Sequence, residues 1–305
     1  MAMANRSIRK LPWLDRSGQF SPLKSTVLVL LCLPTAWVAW LWATTGLLPR
    51  PLEEAIHQSG NWAVRLLIIS LCISPLRRIL AWPRLMLVRR MVGVAALVYA
   101  LAHLLLYVVD MNVDLVKVAT EIVLRFYLTI GFVALLGLLA LGITSTDAMV
   151  RRLGRWWPRL HASVYVLAVL GLVHFFIQSK VDVTEPVLLT GFFLFLMGYR
   201  LMVRRHEPVP WRLAALAVAT ALLCALAEAL WYGLYRGAPM GAVLAANLKF
   251  AYSIRPAWWV LAAGLGTVPL AWIGTWRSNR RSPPGRATGR TRRAGSLAPV
   301  SAQQG

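Results

Sequence analysis

The stretches YALAHLLLYVVD (99–110) and LHASVYVLAVLGLVHFF (160–176) decide the fold of this chain, because each places histidine inside an otherwise apolar segment. Both belong to longer apolar runs, and about 20 mostly apolar residues suffice to cross a bilayer as a helix. A histidine at membrane depth is costly, so His103, His161 and His174 are candidate functional residues. Neutral imidazole is a common axial ligand of heme iron. The two stretches therefore predict membrane helices that hold a metal cofactor.

The rest of the chain has the composition of a polytopic membrane protein. Of its 305 residues, 58% are hydrophobic and 14% are charged, and a soluble protein could not hide that much apolar surface. The fold class predicted is all-α, a transmembrane helix bundle. Its eight expected spans lie near 26–47, 62–80, 91–109, 126–144, 160–178, 186–203, 212–232 and 256–275.

The distribution of basic residues orients this bundle. With the N-terminus in the cytoplasm, 25 of the 33 Lys and Arg residues fall on the cytoplasmic side, as the positive-inside rule requires. We therefore predict that both termini are cytoplasmic. Residues 1–25 form a cytoplasmic N-terminal segment, and 277–305, rich in Arg, Gly, Pro and Ser, are expected to be a disordered basic tail.

The same charge pattern bears on partners. Arginine clusters beside helix ends meet anionic lipid headgroups, so membrane lipid accounts for the net charge of +22. A nucleic-acid partner is not expected, because no soluble module is present to carry a basic patch.

Helix rise places two of the three histidines at one depth. Counted outward from Arg90 and Arg159 at about 1.5 Å per residue, His103 and His174 each lie about 20 Å from the cytoplasmic boundary. One heme could therefore lie between them as a bis-imidazole pair. His161 lies at the cytoplasmic boundary, where it could ligate an inner heme or contact a heme propionate, a flavin or a quinone. The alternative for each histidine is a hydrogen bond that joins two helices.

Residues 125–176, RFYLTIGFVALLGLLALGITSTDAMVRRLGRWWPRLHASVYVLAVLGLVHFF, resemble a known family. This family is the heme-binding membrane subunit of the bacterial periplasmic methionine-sulfoxide reductase system (MsrQ, formerly YedZ), in the ferric-reductase-like transmembrane group. The segments HQSGNWAVRLL (57–67), SPLRRIL (74–80) and RRMVGVAALVYALAHLLLY (89–107) extend the resemblance, which covers about 26–203.

The resemblance implies a six-helix core, residues 26–205, that binds heme b, with FMN as a candidate second cofactor. The family's heme histidines match His103, His161 and His174, which would bind the iron. Such proteins lie in the bacterial inner membrane and take electrons from the quinone pool or a cytoplasmic flavin reductase. They pass the electrons to a periplasmic molybdopterin-dependent methionine-sulfoxide reductase, which repairs oxidised proteins. The chain would then be an electron-transfer subunit of an oxidoreductase system and not a stand-alone catalyst.

Residues 206–276 depart from the family, because they predict two extra C-terminal spans.

Two other functions fit the sequence less well. A stand-alone ferric or superoxide-producing reductase needs an FAD and NAD(P)H domain, yet no G-x-G-x-x-G follows a strand. A heme-free transporter using the histidines and Glu228 predicts helices broken at the midplane, and no paired Gly/Pro interruptions occur. Electron transfer is the preferred interpretation.

Overall fold

The computed structural model describes residues 11–14, 18–45, 50–180, 182–205, 209–250 and 254–281. Within these residues the chain is all-α and has no strand. Most of the predicted basic tail, from 282 onward, lies outside the described residues, as does much of the N-terminal segment. The helices are α1 (Pro22–Thr45), α2 (Pro51–Ile79), α3 (Met86–Asp110), α4 (Leu115–Leu124), α5 (Phe126–Ile143), α6 (Asp147–Leu153), α7 (Trp157–Ala162), α8 (Val164–Ser179), α9 (Thr184–Arg205), α10 (Pro210–Arg236), α11 (Met240–Leu248) and α12 (Pro256–Arg281).

Long helices occupy all eight predicted spans. Seven candidate membrane spans are long and apolar enough to cross a bilayer: Pro22–Thr44, Pro83–Asp110, Phe126–Ile143, Asp147–Ser179, Thr184–Arg205, Pro210–Arg236 and Pro256–Ser278. The predicted span near 62–80 corresponds to α2, which is not among the seven. The protein is therefore a polytopic α-helical membrane protein.

Helix α2 is the centre of the bundle although it carries five charged residues. It contacts α1, α3, α8, α9 and α12, and it buries Leu66, Leu67 and Leu71 among them. Its acidic residues lie in the first turn and its last turn carries two arginines, so these charges complement the helix dipole. Packing against five helices holds α2 in the bundle.

The C-terminal helices attach to one side of this core. Helices α10 and α12 pack on each other and on α9, and α12 also reaches α2. Their shared core includes Val187 of α9, Cys224 of α10 and Val260 of α12. Helix α9 approaches closely at Gly191, where an added Cβ would stand 2.5 Å from Val260 Cγ2. The two extra helices thus form one packed unit with the preceding bundle.

Candidate metal centre

The rings of His103 and His174 lie next to each other between α3 and α8. Their centroids are 6.3 Å apart and their planes meet at 79°. The equal depth expected from helix rise is therefore accompanied by direct proximity. Both side chains are partly buried. They lie near the end of the bundle at which α3 ends and α5 begins, which we call the histidine end.

Each of the two rings is oriented by a backbone carbonyl. His103 Nδ1 lies 2.8 Å from the carbonyl oxygen of Ile56 on α2, and His174 Nδ1 lies 2.7 Å from that of Tyr127 on α5. A carbonyl oxygen can only accept a hydrogen bond, so Nδ1 of each neutral ring carries the proton and Nε2 keeps its lone pair. Among the described residues neither Nε2 has a hydrogen-bond partner. Both Nε2 atoms are therefore available to bind a metal.

Each ring also rests against a glycine one turn beyond its carbonyl acceptor. A Cβ at Gly60 would lie 2.9 Å from His103 Nδ1, and a Cβ at Gly131 would lie 2.7 Å from His174 Nδ1. Real Cβ atoms do not approach this closely, so any larger residue would displace the ring. The two glycines allow α2 and α5 to approach the histidines.

The two half-sites repeat at a fixed offset of 71 residues. The acceptor, the glycine and the histidine of one half each have a counterpart in the other: Ile56, Gly60 and His103 against Tyr127, Gly131 and His174. Sequence reasoning found the histidines and missed the glycines and the carbonyls. The recurring glycine-to-histidine spacing of 43 residues was the signal that could have revealed the glycines.

The spacing of the rings fits a single metal ion between them. An imidazole nitrogen lies about 2 Å from a bound first-row metal and about 1.1 Å from its own ring centre, so two trans imidazoles have centres about 6 Å apart. The observed 6.3 Å agrees with that arrangement. No group of three or more His, Cys, Asp or Glu able to hold a metal occurs in the described part of the chain.

Comparison with known proteins identifies the family. Residues 59–172 match the family described as ferric reductase like transmembrane component. The chain is 39% identical over 184 residues to the protein-methionine-sulfoxide reductase heme-binding subunit MsrQ of Xanthomonas axonopodis pv. citri, covering 57% of this chain and 84% of that protein. The protein of the same name from Caulobacter vibrioides is 38% identical over 175 residues, which cover 57% and 83%. The chain belongs to the MsrQ family. No solved structure matches it.

His161, the third candidate of this MsrQ-family chain, is not part of the pair. Its Nε2 lies 3.2 Å from Thr144 Oγ1, and its ring stacks on Trp157 with centroids 4.0 Å apart. Trp157 Nε1 donates to the Thr144 carbonyl at 3.0 Å. Thirteen residues separate His161 from His174, about 20 Å along a helix. The structure therefore brings two of the three predicted ligands together and leaves His161 at the opposite end.

An ion pair lies close to the histidine end of the MsrQ-family core. Arg65 Nε donates to Glu185 Oε1 at 2.5 Å, which joins α2 to the start of α9. Asn61 Nδ2 contributes a longer bond of 3.4 Å to Glu185 Oε2. The guanidinium also lies 4.7 Å from the centre of the Trp62 ring. These contacts fix the helix that carries Gly60 against α9.

A second polar cluster lies in the helices that follow the MsrQ-like core. Glu228 is fully buried, and its Oε1 lies 3.7 Å from Arg255 of the segment before α12. Arg255 also acts on Asp182 in the loop after α8. The pKa of Asp182 is lowered, mainly by its hydrogen bond with Thr184 and further by the nearby Arg255 charge. The cluster links α10, α12 and the loop that follows the His174 helix.

Proposed function

We propose that this chain is the heme-binding membrane subunit of a protein-methionine-sulfoxide reductase, and that His103 and His174 would hold the iron of one heme b. The observation that carries the proposal is the pair of imidazole rings 6.3 Å apart, each with Nδ1 on a carbonyl. A heme supplies four equatorial nitrogens of its own, so two protein ligands are enough. The MsrQ relatives are named as heme-binding subunits, which supports the same cofactor.

The bound heme would supply one-electron redox chemistry. The chain's own residues hold and tune it. The carbonyls of Ile56 and Tyr127 accept the Nδ1 protons, which fixes the ring orientation and increases the basicity of each Nε2. Gly60 and Gly131 let the rings keep this position. The apolar surroundings keep water away from the ligands, and in this way they influence the reduction potential.

The direction of electron flow follows from the proposed orientation. With both termini in the cytoplasm of a bacterium, the histidine end lies on the periplasmic side of the inner membrane. Electrons would leave there for a periplasmic molybdopterin-dependent methionine-sulfoxide reductase. The donor is proposed to be the quinone pool or a cytoplasmic flavin reductase, with FMN as a further cofactor; these assignments rest on the family resemblance.

His161 is proposed as a separate cofactor contact at the cytoplasmic end. Its Nε2 lies 3.2 Å from Thr144 Oγ1. The Thr144 hydroxyl already donates to the Ala140 carbonyl at 2.7 Å, so Nε2 is the donor in this pair. It would donate to a cofactor oxygen in the same way, or bind a metal once its proton has moved to Nδ1. Stacking on Trp157 holds the ring in place. A second heme, a propionate or a flavin at this end would use that nitrogen.

The test is a dithionite-reduced minus oxidised absorbance spectrum of the purified protein. We expect a b-type signal in the wild type that His103→Ala and His174→Ala each abolish. His57→Ala is the matched control, because His57 is about half exposed and 4.0 Å from the Glu53 carboxylate. A wild-type protein without heme after heme-replete expression would contradict the proposal. It would favour the heme-free transporter instead.

The stand-alone reductase remains the second candidate function, and a separate assay distinguishes it. Purified protein with bound heme is mixed with NADH or NADPH and ferric citrate, with no other protein present. We expect no reduction of iron at the expense of the nicotinamide. Turnover under these conditions would favour the stand-alone enzyme.

A further inference from the structure

The short helix α4 leaves one of its faces uncovered at the histidine end of the bundle. It lies between the end of α3 and the start of α5, and Val118 is its one buried residue. Leu115, Val116 and Val123 are 65%, 78% and 76% exposed. With Ala119, these three residues fall within about 100° of arc on the helix. We call these four residues the α4 apolar face.

The charged residues of α4 lie elsewhere on the helix. Lys117 and Glu121 project to the other side of the helical wheel, and Thr120 lies at the border of the α4 apolar face. The helix has the pattern of an amphipathic element that lies in a membrane interface. An apolar patch of this kind is unusual on a surface that faces water.

Exposed apolar side chains also lie on the two spans that α4 connects. Phe126 at the start of α5 is 74% exposed, and Leu105 and Val109 near the end of α3 are 64% and 53% exposed. The side chains of spanning helices that face outward meet lipid, so the same lipid is the natural occupant of the adjoining face. The charge on α4 fits this arrangement because Lys117 and Glu121 lie away from it.

Helix α4 is also tied to the residue that orients His174. Glu121 and Arg125 form an ion pair, and Arg125 donates to the Tyr127 hydroxyl at 3.2 Å. Thr129 Oγ1 donates to the Ile122 carbonyl at 2.6 Å. These bonds join α4 to the first turn of α5. The carbonyl of Tyr127 in that turn accepts the Nδ1 proton of His174.

We propose that α4 is an interfacial helix whose apolar face lies in the acyl chains of the leaflet at the histidine end, and that this lipid contact holds the carbonyl acceptor of His174 in place. The other half-site differs in this respect. Its acceptor, Ile56, lies in the second turn of α2, with no amphipathic helix before it from Arg50 onward. Lipid at this end therefore supports the His174 half of the site and not the His103 half. The link between α4 and His174 rests on the proposed function, whereas the lipid contact of α4 does not.

The lipid contact is tested by quenching of a fluorescent label. Val116→Cys on the apolar face and Lys117→Cys on the polar side are labelled with the same thiol-reactive dye, in a background with Cys32→Ala, Cys72→Ala and Cys224→Ala. Both proteins are placed in phosphatidylcholine vesicles with or without bromine on the acyl chains. We expect several-fold stronger quenching by brominated lipid at position 116, and stronger quenching by aqueous iodide at position 117.

Two outcomes would overturn the lipid contact. Equal quenching by iodide at both positions would mean that the face meets water. A label at 116 that neither bromine nor iodide quenches would mean that protein covers the face, as in contact with a second copy. If the cysteine-free background fails to fold, the native chain in nanodiscs answers the same question, because amide hydrogen exchange in α4 should then be slower than in detergent.

The link to His174 is tested with the intact chain. Val116→Glu puts a charge into the proposed acyl-chain region, and Val116→Ile keeps the apolar face. We expect Val116→Glu to lose heme or to change the low-spin ferric EPR signal, while Val116→Ile retains both. An unchanged signal in Val116→Glu would refute the link. A wild type that lacks heme yet shows bromine quenching at 116 would refute the proposed function and leave the lipid contact standing.

Discussion

The ring of His174 lies directly on the backbone of Gly131, where an added Cβ would stand 2.7 Å from Nδ1 and 2.8 Å from Cε1. The ring cannot move aside freely, because Nδ1 is bound to the Tyr127 carbonyl at 2.7 Å. Glycine is therefore required at this position by close packing and not by backbone conformation. The same relationship holds between Gly60 and His103.

Gly131→Ala should weaken heme retention. The added carbon displaces the imidazole, and overpacking of this kind costs about 1–3 kcal/mol. Gly171→Ala is the matched control on the His174 helix itself, since nothing lies within 4 Å of a Cβ there. The control should keep its heme and gain up to about 1 kcal/mol of stability from helix propensity. Heme content per protein and thermal midpoint measure both effects; equal heme content in the two variants would contradict the packing argument.

His161→Ala should leave the His103–His174 heme signal intact. His161 contacts Thr144 and Trp157 at the opposite end of the bundle, so removing it does not disturb the paired rings. The reduced-minus-oxidised spectrum of the variant is compared with that of His174→Ala. Complete loss of heme in His161→Ala would show that the two ends are not independent. Partial loss, with the remaining signal sensitive to His174→Ala, would support a second heme.

Arg65→Ala and Glu185→Ala should each destabilise the bundle, and the two losses should not add. Both side chains are about two-thirds buried and their contact is short, so a double-mutant cycle should give a coupling of about 1–3 kcal/mol. The exposed pair Arg50 and Glu53 is the control. Its coupling should be below about 0.5 kcal/mol. For each pair, unfolding in a lipid-like detergent gives the free energies of the wild type, the two single variants and the double variant. Equal coupling in the two pairs would contradict the expectation that the partly buried pair is the stronger one.

Arg255→Met should destabilise the C-terminal helices because it leaves the buried Glu228 carboxylate without its cation. Removing one partner of a fully buried pair costs about 3–5 kcal/mol. The loss here should be nearer to 2 kcal/mol, since Arg255 is 38% exposed and water screens it. Adding Glu228→Gln to Arg255→Met should recover most of this loss. If the double variant is as unstable as the single one, the charge of Glu228 is not the cause.

The all-α membrane fold could be predicted in nearly all its elements. Long helices occupy every predicted span. The length and apolar composition of a segment are local properties of the sequence, and they decide whether that segment can cross a bilayer as a helix. Helix α2 shows the limit of that rule, since it is not among the candidate membrane spans and is held by five neighbouring helices. Its buried leucines, and not its overall hydropathy, account for its position.

The sequence by itself determined that His103 and His174 lie at one depth, because helix rise converts residue number into height. Only the tertiary structure decided that their rings lie next to each other, that the carbonyls of Ile56 and Tyr127 accept hydrogen bonds from them, and that Glu185 pairs with Arg65. Height along a helix is set by the chain's own geometry. The direction in which a side chain points, and the helix it meets, depend on how several helices rotate and cross as their side chains interlock. No single segment contains that information, and so the histidines were predictable whereas their supporting residues became visible only in the folded bundle.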